Sequence, residues 1–178
     1  MSISNSRRKQ RGVTLIELSL VMAAAMAAAA LVATLYTQSS SDANLQNART
    51  KIQLLMVEVD RSYPSGVYNG ASTANFAASL AVDHALRTTT GLGISASEPI
   101  RLVPAPPVSG LSQALIASVD VGTTQTCEGV MSALTGSEAQ ARIGGNLIVD
   151  AGQSTGILAV ATACNAPPLT VEIRLSPK

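Results

Sequence analysis

With 178 residues, 12 basic against 11 acidic side chains, one phenylalanine, three tyrosines and no tryptophan, the chain has room for one domain beyond a long leading helix. Four of the basic residues, Arg7, Arg8, Lys9 and Arg11, come first, and the remainder carries eight basic against eleven acidic side chains, a net charge of −3. That balance leaves no basic surface for nucleic acid, the shortage of aromatics leaves no stacking platform for single strands, and the core has to come from Ala, Val, Leu and Ile.

The first predicted element follows the basic cluster directly. It is an apolar run broken once, by Glu17, with no charged residue between Leu18 and Ser41. A secretory signal has an apolar region of ~7–15 residues that leads to a small-residue cleavage site. This run is longer, and it reaches the about 20 residues that a helix needs to span a bilayer. The basic cluster orients such a span with its N-terminus in the cytoplasm and everything after Tyr36 outside. Glu17 then stands out, because an ionisable side chain in a membrane segment is costly and marks a functional position.

The residues around Glu17 carry a family resemblance. "RG" followed by "VTLIEL", with the glutamate fifth after the glycine, resembles the class III signal of type IV pilins. The resemblance implies that a prepilin peptidase cuts between Gly12 and Val13 and methylates the new amine of Val13. It divides the chain into a cytoplasmic leader (1–12), a hydrophobic transmembrane and assembly half of a long helix (13–36), an amphipathic half (37–63) and a globular head (64–178). In an assembling filament, Glu17 of an incoming subunit pairs with the Val13 amine of a neighbour, and each lifts the desolvation penalty of the other. The alanine runs Ala23–Ala25 and Ala27–Ala30 offer small side chains that let neighbouring backbones approach.

Neither proline nor glycine occurs between Val13 and Tyr63, which permits one helix of about 50 residues, ~75 Å at 1.5 Å per residue. In its second half Leu45, Ala48, Ile52, Leu55, Met56 and Val59 recur at three- and four-residue spacing as an apolar stripe, with Asp42, Arg49, Lys51, Glu58, Asp60 and Arg61 at polar positions. "YPSG" at Tyr63–Gly66 stops the helix. After it, "TANFAASLAVDHAL" reads as a short helix, Thr88 to Gly93 as a loop, and "EPIRLVPAPPVSG" as an extended, proline-punctuated connector. "SQALIASVDV" alternates with Leu115, Ala117, Val119 and Val121 on one face and is a predicted strand. "TQTCEGVMSAL" is a predicted helix capped by a threonine, with Cys127 in its first turn. "GNLIVDA" and "GILAVATA" are strand candidates. "LTVEIRLS" alternates most clearly, with Leu169, Val171, Ile173 and Leu175 facing inward. The expected fold class is α+β, an antiparallel-rich sheet laid against the long helix.

Cys127 and Cys164 both fall in the exported part, where an oxidising compartment favours a bridge over two free thiols. Closing a loop of roughly 36 residues contributes about 4 kcal/mol in the chain-entropy model. The pairing also resembles the disulfide-bounded C-terminal region of type IV pilins. The order of parts, a helical loop, a strand, a cysteine-bearing helix and a second cysteine before the last strand, is similar to class B (type IVb) major pilins of the toxin-coregulated, bundle-forming and conjugative thin-pilus kinds.

No residues assemble into a catalytic pattern. His84 is the lone histidine, the acidic residues outside the helix form no calcium-loop spacing, and the glycines of "GLG" and "IGGN" open no phosphate loop. The expectation is a structural protein with no cofactor and no metal. Its implied partners are the prepilin peptidase, other copies of itself, the inner-membrane pilus assembly machinery and a host or recipient cell surface. It starts in the inner membrane with the head periplasmic and ends in an extracellular filament. Two other readings share parts of this pattern: a minor pilin or a pseudopilin of a type II secretion system, and an uncleaved membrane-anchored periplasmic binding domain.

Overall fold

The uninterrupted stretch after Val13 folds as one helix, α1 (Leu15–Ser62), 48 residues long. The computed structural model describes residues 15–79, 82–89, 91–107 and 110–176. The chain divides into two compact units, Met1–Ser40 and Ser41–Lys178. In the first, the described part of α1 is exposed all round. In the second, the predicted stripe is the buried face: Ala48, Ile52, Leu55 and Val59 are at most 1% exposed, and Leu45 and Met56 border them half-buried. The helix stops where expected. Pro64 has no N–H to continue the ladder, and the Gly66 N–H donates back to the Tyr63 carbonyl at 2.9 Å with Gly66 at a φ of 67°.

Seven strands form one sheet, antiparallel throughout: β1 (Arg87–Thr88), β2 (Gly91–Ser95), β3 (Glu98–Pro104), β4 (Leu115–Val121), β5 (Gln140–Ile143), β6 (Asn146–Val149) and β7 (Leu169–Leu175), in the order β1-β2-β3-β4-β7-β5-β6. The two strands with the cleanest alternation lie side by side at its centre. β4 and β7 pair over seven residues, from Leu115↔Leu175 to Val121↔Leu169. Their inward residues Leu115, Ala117, Val119, Val171 and Ile173 are at most 1% exposed and join the stripe of α1 in one core. Each such aliphatic side chain contributes roughly 1.5–3 kcal/mol by leaving water.

Four readings of local sequence change. "EPIRLVPAPPVSG" is more than a connector, because β3 occupies an interior position and buries Ile100 and Leu102. Its prolines are accommodated at its ends: Pro104 is its last residue, and Pro99 opposes Gly93 where the β2–β3 register shifts. The expected loop at Thr88–Gly93 contains the start of β2. Gly93 is required there, since a Cβ would stand 2.7 Å from the Ser95 carbonyl oxygen and 2.9 Å from that of Glu98. "TANFAASLAVDHAL" is not one helix but α2 (Thr73–Ala78), capped by Ser72, and a 3-10 turn at His84–Leu86, capped by Asp83. "GILAVATA" is a helix, α4 (Ile157–Ala163), not a strand. A short apolar run is ambiguous between the two periods, and three alanines in it favour the helix.

Polar side chains close what the sheet leaves open. β2 pairs only with the first part of β3, and beyond it the Leu102 N–H donates to Thr73 Oγ1 at 2.7 Å, which docks α2 on that edge. Glu98 is 8% exposed and accepts from the Gly122 N–H and from Ser95 Oγ, both at 3.1 Å. Lys51 Nζ reaches across from α1 to the Ile94 carbonyl at 2.6 Å. Two turns later on that flank Glu58 is 6% exposed, so it belongs to the buried face and not to the expected polar set.

The predicted cysteine-bearing helix is α3 (Thr124–Leu134), and Thr123 caps it by accepting from the Thr126 N–H at 3.1 Å. Its mid-helix Gly129 lies against α1, where a Cβ would stand 2.5 Å from the Leu45 carbonyl oxygen and 2.8 Å from Ala48 Cβ. In an open helix, alanine at such a position would gain up to about 1 kcal/mol. Here Gly129→Ala is expected to destabilise the head by roughly 1–3 kcal/mol, and Gly129→Val by more. Denaturant melting checks this, and an unchanged or raised midpoint for the alanine variant would remove the close approach of α3 to α1.

Candidate functional site

Gly12 and Val13 lie outside the described residues. Glu17 lies in the first described turn of α1, with its backbone helical.

Beyond Glu17 the surface of α1 is made for an apolar environment. Leu20, Met26, Leu31, Val32 and Leu35 are between 63% and 71% exposed within their own unit. Four hydroxyls in this stretch do not break the pattern, because each finds an acceptor on its own helix. Ser19 Oγ donates to the Ile16 carbonyl and Thr34 Oγ1 to the Leu31 carbonyl at 2.8 Å, and Thr37 and Ser40 donate to the Thr34 and Thr37 carbonyls at 2.9 Å. A hydroxyl satisfied by the backbone of its own helix leaves no open donor to hydrocarbon or to a neighbouring apolar helix. By length and composition, α1 is able to cross a membrane.

In the head, the two cysteines meet. Cys127 in the first turn of α3 and Cys164 at the C-terminal end of α4 form a disulfide, with Cα atoms 5.7 Å apart and both residues fully buried. The bridge bounds a segment that contains β5, β6 and α4. Within α4 only Val160 is buried, so the bridge and that one side chain hold the helix to the core.

His84 is exposed in the 3-10 turn. Among the described residues, no group of three or more His, Cys, Asp or Glu side chains converges as metal ligands would. Tyr68 is 1% exposed, and burial, followed by the charge of Asp60, pushes its phenol above the ordinary value. The ion pair Arg101 Nη2 to Asp120 Oδ2, at 3.2 Å, lies on the solvent face of the sheet, where such pairs contribute little.

Two groups with a positional role escaped the sequence reading. Lys51 stands among the polar positions of the helical pattern, and nothing local signals its bond to β2. Gly129 had a signal: a glycine inside a helical pattern marks a close approach of another backbone. Comparison of the chain with protein-family models and with curated proteins gives no match to either.

Proposed function

We propose that the chain is a structural subunit of the type IV pilin kind, anchored by the apolar half of α1 and polymerised through it into an extracellular filament. The observation that carries this reading is the glutamate placed fifth after Gly12 at the head of a charge-free apolar helix. A plain anchor has no use for that carboxylate, whereas a helix that must register against copies of itself does. The exposed apolar half of α1, leading without proline or glycine into an α+β head with a disulfide-bounded C-terminal region, supports the same reading. On it, a prepilin peptidase removes residues 1–12 and methylates Val13, the subunit waits in the inner membrane with its head outside, and the filament serves adhesion, aggregation or conjugative contact.

Intact mass and N-terminal sequence of the protein in a sheared cell-surface fraction test this. The expected result is a chain that starts at Val13 with one added methyl and is two hydrogens light for the bridge. A chain that starts at Met1 and stays in membranes would replace the filament subunit with an anchored periplasmic domain.

A further inference from the structure

Between Gln153 and Leu169 the chain leaves the head and returns to it as an arm that carries α4. Up to Gln153 the backbone is fastened, since the Gly152 N–H donates to the Ser137 carbonyl at 2.7 Å and the Gly136 N–H to the Gln153 carbonyl at 3.1 Å. At Leu169 it enters β7 beside β4. In the arm itself, residues 154–168, only Val160 and Cys164 are buried. Its one described hydrogen bond to the rest of the head, from Thr155 Oγ1 to the Ile148 carbonyl, is 3.4 Å long. α4 does not fill its seat either, because a groove of about 370 Å³ is lined by its Val160 and Ala161 and by Leu45 of α1 and Ser132 of α3. A seven-residue helix with no side-chain cap does not hold by itself. Burying one valine contributes roughly 1.5–3 kcal/mol, less than the backbone entropy lost in ordering the arm at about 1–2 kcal/mol per residue. The disulfide is what closes the arm.

Cys127 is placed differently. α3 buries Thr126, Gly129, Val130, Met131, Ala133 and Leu134, and Gly129 lies against α1, so α3 belongs to the core whether the arm is open or closed. In the first turn of that helix Cys127 is fixed in helical backbone, where the positive end of the dipole favours its thiolate. Both cysteines are 0% exposed once the arm is closed. An enzyme that introduces the bridge therefore has to reach one of them while the arm is open, and the arm presents Cys164 on free, extendable backbone.

We propose that the arm 154–168 closes last, and that Cys164 is the sulfur through which a dithiol–disulfide oxidase of the exported compartment makes the bridge. The Cys164 thiolate attacks the disulfide of the oxidase, forming a mixed disulfide and releasing one enzyme sulfur as a thiolate. The Cys127 thiolate then attacks Cys164 Sγ. The mixed disulfide breaks, the Cys127–Cys164 bond forms, and the oxidase leaves as a dithiol, having taken two electrons and two protons from the head. This rests on the exported head that the filament reading requires, not on assembly.

The test uses the full-length chain in its own cells. After acid quenching, a non-reducing gel is expected to show Cys127→Ser linked to the oxidase through Cys164, and Cys164→Ser linked several-fold less. Equal or greater linkage through Cys127 would overturn the proposal. A second measurement needs no variant: the wild-type chain is kept reduced in its cells with dithiothreitol and labelled briefly with a biotinyl maleimide. Peptide masses are expected to show Cys164 labelled roughly tenfold more than Cys127. Labelling of Cys127 at or above the level of Cys164 would overturn the open arm. Two free thiols in the untreated protein would mean that the head is not exported, and the filament reading falls together with this one. A bridged protein that forms no filaments removes the filament reading and leaves the closing of the arm standing.

Discussion

Glu17→Ala is expected to leave the protein inserted in the membrane at its normal level and to remove surface filaments. The change does not harm insertion, since it takes a costly carboxylate out of an apolar run. On the filament reading, what it harms is assembly. The methylated amine of Val13 on a neighbouring subunit would enter the helix bundle without a counter-ion, and breaking a buried ion pair by removing one partner costs roughly 3–5 kcal/mol. Repeated at every subunit addition, that cost stops growth. Glu17→Gln separates charge from shape, and it is expected to behave like the alanine variant because an amide does not compensate a cation. The measurement is the amount of subunit in sheared filaments relative to membranes. Filament yield at the wild-type level from Glu17→Ala would remove the registry role of the carboxylate.

Cys127→Ser is expected to cost the head about 2–5 kcal/mol, the range for losing a native bridge from an exported domain. Its local consequence follows from how α4 is held. With Val160 the only buried side chain within α4, loss of the bridge frees the end of that helix at Cys164 and opens the segment around it before the rest of the head. Limited proteolysis should therefore find new cuts between Gly152 and Ala163 at temperatures where β4 and β7 remain protected. Cys164→Ser should have the same effect, and the double variant should add little to either, because all three remove one bond. Wild-type melting and an unchanged cleavage pattern for Cys127→Ser would show that the bridge does not hold α4.

What the sequence determines by itself is whatever depends on one period held over a long enough stretch. The 48-residue helix, its end at "YPSG", and the strands β4 and β7 with their inward residues are legible because each repeats a single geometric rule without a competing one. The threonine cap of α3 is legible for the same reason, since its bond is made within four residues. The two cysteines could be paired from the sequence because the chain contains no others.

Tertiary structure decided the rest. An apolar run of eight residues satisfies both a strand and a helix, and α4 is a helix because the bridge to α3 and the burial of Val160 use that form. β3 becomes an interior strand despite its prolines because β2 and β4 supply partners at the positions between them. Glu58 and Lys51 read as polar positions on a helical wheel, yet in the folded head one is buried and the other bonds across to β2. Gly129 reads as a weak point in α3 until Leu45 and Ala48 are seen against it. In each case the deciding partner lies far away in the chain, and local sequence carries the energy of a residue's own backbone preference but not that of a neighbour brought to it by folding.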